Sequence, residues 1–175
     1  MKLRLRQIAL AVADLEAAAL QASQILCLGP AYQDPAIVRY GLRNAVYAID
    51  NTILEFVSPI TENTTVGRLL AKQGGDCGYM VILQTDGADE ARARIDAAGV
   101  RVADQLDRNG AGFMPLHPKD VGGTLLSIDY MPRWSDWEWG GPDWQKSATH
   151  DEAITGIGIS ALDPQGMAGR WGEIL

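Results

Sequence analysis

Cysteine and histidine are nearly missing from this 175-residue chain, each occurring twice. Cys27 and Cys77 match neither a metal-ligand spacing nor a disulfide framework, so they read as two free thiols in a reducing compartment. Basic charge is also in short supply: 15 Lys and Arg stand against 22 Asp and Glu, for a net charge of −7 and a pI near 4.7. That balance excludes the clustered basic face a nucleic-acid partner requires, and favours small-molecule chemistry. No uncharged apolar run reaches membrane-spanning length. The start, MKLRLRQIALAVADLEAAAL, has the basic opening and apolar run of a signal peptide, but Asp14 and Glu16 interrupt it. The expectation is a soluble, cytoplasmic protein with no membrane partner. What the chain does have is apolar residues, 47% of the total, enough for the core of one domain or two small modules.

Periodicity divides the chain into two similar halves. Leu5–Val12 alternates as a strand, and Asp14 is placed to cap the helix LEAAALQASQIL, which ends near Gly29-Pro30. Three β-like runs follow, Ile37–Leu42, Ala45–Ile49 and Thr52–Val57, separated by turns at Arg43-Asn44 and Asp50-Asn51. Ser58–Thr65 is a polar loop, and Val66–Gln73 a short helix closed by Gly74-Gly75. The pattern then begins again: a strand at Tyr79–Thr85, a helix at Ala88–Ala98, and strands at Arg101–Gln105, Gly112–Leu116 and Gly123–Ile128. Gln7 and Met80 hold corresponding places, as do Glu55 and Asp129, at almost the same offset, which predicts an internal duplication of a βαβββ unit. The fold expected is α+β: two tandem modules, at about 3–60 and 78–130 within a domain 1–131, forming a curved mixed sheet with a concave cavity. Gln7, Glu55, Met80 and Asp129 would point into that cavity from four strands. An acid such as Asp129, at the end of a strand with apolar neighbours, needs a partner, because an unpaired buried charge costs several kcal/mol, on the order of the whole stability margin.

Beyond Asp129 the composition changes. MPRWSDWEWGGPDW carries four tryptophans, Trp134, Trp137, Trp139 and Trp144, among Pro, Gly and acids, with neither helical nor strand periodicity. It reads as a linker, 132–152, tethered to a surface by its aromatics in preference to an aromatic ligand clamp. Ile154–Leu162 (ITGIGISAL) and the helix start at Pro164–Leu175 read as the opening of a further, incomplete βα unit, 153–175. Such an opening would fit a longer protein whose other modules carry the complete site, or a partner subunit that completes it. His150, in the polar linker, receives no role.

Two stretches, QIALAVADLEAA and YMVILQTDGADEARARIDAAGVRV, resemble the module openings of the vicinal oxygen chelate superfamily, which includes glyoxalase I, methylmalonyl-CoA epimerase, extradiol dioxygenases and bleomycin resistance proteins. ILEFVSPITENTTVGRLLAKQGGDCGYMVI and FMPLHPKDVGGTLLSID are most similar to its epimerase branch, and HPKDVGG is the most specific motif. The resemblance runs from Leu3 to Asp129 and implies the glyoxalase-like fold. It also implies a divalent metal (Zn, Mn, Co, Mg or Ni) held at Gln7, Glu55, Met80 and Asp129, and a homodimer, with the modules paired either within one chain or across the dimer. Met80 stands where a histidine is expected, and a thioether is a poor ligand for such ions. Three oxygen ligands would remain, Gln7, Glu55 and Asp129.

Two functions follow. One is a metal-dependent isomerase or lyase, epimerase-like, acting on a small oxygenated acid or thioester through an enolate whose charge the ion stabilises. Glu55 would serve as base or ligand. His117 would be a second acid or base, set against a structural place in the turn before Pro118, and Lys119 would meet a phosphate or carboxylate of a CoA thioester, set against simple solvation. The other is a metal-free binding or resistance-type module with a degenerate metal site, in which Met80 lines the pocket wall.

Overall fold

The computed structural model describes residues 1–149 and 151–175; His150 lies outside them. The chain forms two compact units. Gln7–Tyr79 with Glu138–Thr155 makes one, and Met1–Arg6 with Met80–Trp137 and Gly156–Leu175 makes the other. Each contains parallel and antiparallel strand pairs with helices against them, so the α+β class and the repeated module hold. No helix among the described residues is long and apolar enough to cross a membrane.

In the first unit, strand β1 (Leu3–Ala11) contributes its second half, which runs parallel to β3 (Thr52–Pro59), and β3 pairs antiparallel with β2 (Leu42–Ile49). Helix α1 (Leu15–Leu26) starts where expected: the Asp14 side chain accepts from Ala17 N at 3.0 Å, and the helix ends as Cys27 turns left-handed at φ 52°. Its apolar stripe, Leu15, Ala18, Ala19 and Ala22, packs on Ala45, Tyr47 and Phe56, one face of the sheet. Helix α2 (Thr65–Gln73) is capped by Thr64 and stopped by Gly74 at φ 77°. Val66 and Leu70 of that helix pack with Ala11, Leu42 and Val57, which places α2 beside the end of the opposite face.

Two expectations fail here. Ile37–Leu42 is not a strand: Pro35–Tyr40 forms a 3₁₀ helix, and only Leu42 joins β2. Asp34 caps the helix through Ala36 N at 2.9 Å, and Pro35 brings a helical φ and no N–H to the first turn; this local chemistry overrides the β-branched Ile37 and Val38. Ahead of that segment, Tyr32 makes a single bridge to Val46. Arg43-Asn44 is not a turn either, since both residues lie in β2 opposite Ser58 and Val57.

In the second unit, strand β4 (Cys77–Thr85) contributes its residues from Met80, which run parallel to β7 (Leu125–Tyr130), followed antiparallel by β6 (Ala111–Pro115) and β5 (Leu106–Arg108). Helix α3 (Ala88–Ala97) buries Ala91 and Ile95 against Val81, Leu126 and Ile128. The expected strand Arg101–Gln105 shrinks to one bridge, Val102 to Leu116. The Asp104 side chain takes the Gln105 N–H at 2.9 Å, drawing the backbone away from a ladder, and pairing resumes at Leu106.

Of the expected last βα unit, the helix is present and the strand is not. Ile154–Leu162 contains no strand: Gly156 and Gly158 raise the entropic cost of extending it, and it has no ladder partner. The chain's last helix, Pro164–Ile174, is capped by Asp163, buries Ile174 in the core beneath α3 and buries Met167 beside Gly122. Arg170 Nη2 donates to Ala98 O at 2.7 Å, and Trp171 Nε1 donates to Val121 O at 2.9 Å.

The tryptophan-rich stretch is held by specific contacts. Trp134 stacks on the Arg4 guanidinium at 4.3 Å, and its carbonyl accepts from Gln84 Nε2 at 3.0 Å and from Arg4. Trp137 is 2% exposed and lies beside the buried Arg6, 5.5 Å from ring to guanidinium. Burial and the neighbouring Arg4 charge push Arg6 down to about 10. In the first unit Glu138–Gly140 makes a 3₁₀ turn, Trp144–Ser147 a short helix α4, and Thr149 bridges to Ile49. A Cβ on Gly140 would stand 3.0 Å from Trp144 and 3.1 Å from Ile53, so this segment lies directly on the sheet.

Replacing a fully buried Trp removes transfer energy and leaves a cavity, whereas Trp134 is 36% exposed and chiefly stacks on Arg4. Trp137→Ala is therefore expected to cost about 3–5 kcal/mol and Trp134→Ala about 1 kcal/mol in urea unfolding. Equal losses would refute this account of the tether.

Candidate functional site

Glu55 sits in the middle of β3, between Ala9 of β1 and Val46 of β2, on the face turned away from α1. It is 7% exposed. A carboxylate at such a position is tolerable only if its oxygens are satisfied. Both are: Gln7 Nε2 donates to Oε2 at 2.7 Å and Asn44 Nδ2 donates to Oε1 at 2.6 Å. Gln7 and Asn44 are themselves buried. Asn44 Oδ1 in turn accepts the Asp34 N–H at 2.9 Å.

Opposed effects act on the Glu55 proton. Burial pushes its pKa upward and the Asp34 charge adds to this; the Asn44 and Gln7 hydrogen bonds pull it down, and burial wins. Tyr79, half-buried against Ala11, Val57 and Val66, is pushed up to about 12 by burial, with the negative charge of Glu55 and the neighbouring Tyr40 contributing. It therefore stays a phenol, with an O–H to donate, throughout the neutral range. Asp34, Asn44 and Tyr79 were not singled out from the sequence. The available signal was Asn44 itself, an amide between β-favouring runs where a turn was the easier reading.

The other expected residues lie in the second unit. Asp129 on β7 faces Gln84 of β4 and Phe113 of β6, and accepts from Ser127 Oγ at 2.5 Å; both side chains are buried. Met80 is half-buried and pairs with Leu125, further along the ladder than the Gln84–Asp129 step. His117 begins the turn Pro118–Asp120: its Nδ1 accepts from Lys119 N at 3.3 Å and lies 3.3 Å from Arg101 Nη2. Lys119 is exposed. Asp120 takes a two-pronged bond from Arg101, at 2.8 and 2.7 Å, which holds its carboxyl well below the usual range. Gly122 and Gly123 have φ of 88° and 105°, and a Cβ on Gly122 would press into Met167 of the last helix. HPKDVGG is thus an anchored turn with a glycine forced by packing.

Gln7 and Glu55 are brought together, and the donor set around them does not suit a divalent cation. Such an ion needs oxygen or imidazole lone pairs, whereas here two amide N–H groups fill the positions in front of the carboxylate. Among the described residues no group of three or more His, Cys, Asp and Glu side chains comes close enough to hold a metal.

No family model matches the chain. It is 29% identical over 134 residues to the ethylmalonyl-CoA/methylmalonyl-CoA epimerase of Cereibacter sphaeroides, covering 73% of this chain and 98% of that one. It is 26% identical over 129 residues to human mitochondrial methylmalonyl-CoA epimerase, covering 72% and 73%. Among solved structures it matches Streptomyces coelicolor methylmalonyl-CoA epimerase in complex with 2-nitronate-propionyl-CoA, at TM-score 0.62 and 27% identity, covering 74% and 98%. The Mycobacterium tuberculosis methylmalonyl-CoA epimerase shares the fold at TM-score 0.63 and 22% identity, covering 74% and 88%. The resemblance to the vicinal oxygen chelate superfamily, and to its epimerase-like branch, holds.

The raised Glu55 pKa has a consequence for stability. A carboxyl that binds its proton more tightly folded than unfolded contributes stability fully below its ordinary value of 4.5, and loses it as pH rises through the folded value. Urea unfolding at pH 7 and pH 5 is expected to find wild type gaining on Glu55→Gln as pH falls. A difference that does not change with pH would contradict the burial argument.

Proposed function

We propose that this chain is an epimerase-like enzyme that removes the proton from the carbon beside a thioester carbonyl of an acyl-CoA, with Glu55 as the base, to leave an enolate that takes a solvent proton on its opposite face. The observation that carries this is the buried Glu55 carboxylate, fixed by Gln7 and Asn44 and shifted upward by its surroundings. A raised pKa makes a carboxylate a stronger base at neutral pH, and each oxygen, having accepted one amide N–H, keeps a lone pair for the incoming proton. Tyr79, a phenol throughout the neutral range, is the group suited to donate a hydrogen bond to the enolate oxygen. The similarity to methylmalonyl-CoA epimerases, including one in complex with a CoA thioester, supports the substrate class. The two amide N–H groups at Glu55 do not fit a metal ion. A homodimer in the cytoplasm is part of the same reading.

A second reading is a binding module without turnover. The closeness of the Gly140–Trp144 segment to Ile53, on the same face of β3 as Glu55, favours it, because this segment covers sheet surface that a substrate would otherwise reach.

The test is exchange of the α-proton of methylmalonyl-CoA in D₂O, followed by mass spectrometry with and without EDTA, alongside thermal shift. Wild type is expected to exchange, and Glu55→Gln to lose on the order of 10²–10⁴-fold in rate. Normal exchange in Glu55→Gln would remove Glu55 from the chemistry. Thermal stabilisation by the thioester with no exchange in wild type would leave the binding module.

A further inference from the structure

We infer that Asn44 is the positioning residue of the Glu55 carboxylate: clamped by the Asp34 backbone, it presents its amide N–H groups to Glu55 and does there what a bound cation would otherwise do. This rests on Glu55 being the working group.

An asparagine side chain has two ends, and which one faces Glu55 decides the state of the site. At Asn44 the choice is made elsewhere in the chain. The Asp34 N–H occupies Oδ1 at 2.9 Å, so the NH₂ end must point at Glu55, where Nδ2 lies 2.6 Å from Oε1. Asp34 is itself held by its place as cap of the 3₁₀ helix Pro35–Tyr40, so the clamp is built on backbone. A carboxylate oxygen accepts that N–H more strongly than a protonated carboxyl does, so the arrangement favours an ionised oxygen in one fixed orientation. Gln7 Nε2 does the same at Oε2, 2.7 Å away. Two neutral amides thus hold the buried carboxylate, and the backbone at Asp34 fixes Asn44.

The experiment follows the Glu55 carboxyl directly, by NMR titration of protein carrying ¹³C-labelled glutamate, with Glu55→Gln used to assign the resonance. Asn44→Leu removes the donor. Asn44→Asp keeps the shape and can still accept the Asp34 N–H, but turns an oxygen instead of an N–H toward Glu55, so it serves if the leucine variant fails to fold. In both variants Glu55 is expected to titrate at higher pH than in wild type. In the α-proton exchange reaction kcat is expected to fall about tenfold or more, with its acidic limb moved the same way and KM little changed. If Glu55 titrates as in wild type in a folded variant, the proposal is overturned. That outcome is distinct from failure of the functional reading, which normal exchange in Glu55→Gln would signal.

Discussion

A carboxylate buried in the middle of a sheet is the constraint around which the first unit is organised. Left alone, Glu55 would cost several kcal/mol, comparable to the net stability of a domain of this size. Two buried amides and one backbone N–H meet that cost in a connected chain, from Asp34 through Asn44 to Glu55 and from the other side through Gln7. The 3₁₀ helix at Pro35–Tyr40 then has a purpose beyond connecting α1 to β2. It brings the Asp34 N–H to Asn44, which a third strand would place differently.

The second unit solves its own carboxylates differently. Asp129 is buried and paired with Ser127 on its own strand, while Asp120 meets the guanidinium of Arg101 in a turn that the last helix supports through Arg170 and Met167. HPKDVGG, the stretch most specific to the resemblance, is therefore a piece of architecture here. Its histidine caps a turn, its aspartate binds an arginine and its first glycine admits a methionine. The tryptophan stretch behaves likewise: Trp134 and Trp137 lie against Arg4 and Arg6, and Trp144 packs beside Gly140 over Ile53.

The departure from a metal site is chemical. Two amides direct N–H groups at both oxygens of one carboxylate, and burial still leaves the carboxyl with a raised pKa. A base needs that property, whereas a ligand neutralised by a cation loses it.

Local patterns carried much of this in the sequence. The Asp14 cap, the alternation of β1, the stop at Gly74 and the repeat of strand, helix and strands depend on neighbours a few residues apart, and those are legible one segment at a time. Gln7 and Glu55 could be picked out because a polar side chain in an apolar strand is conspicuous. Asn44 could not, since a turn and a buried strand position both accept asparagine until the Glu55 carboxylate and the Asp34 backbone are known to flank it. The same holds for Ile37–Tyr40, where a cap and a proline prevailed over β-branched residues, and for Ile154–Leu162, where no strand forms among the described residues. Sequence alone determined the class, the repeat and the carboxylate; only the tertiary structure decided what faces that carboxylate, because hydrogen-bond partners are chosen by distance in space and not along the chain.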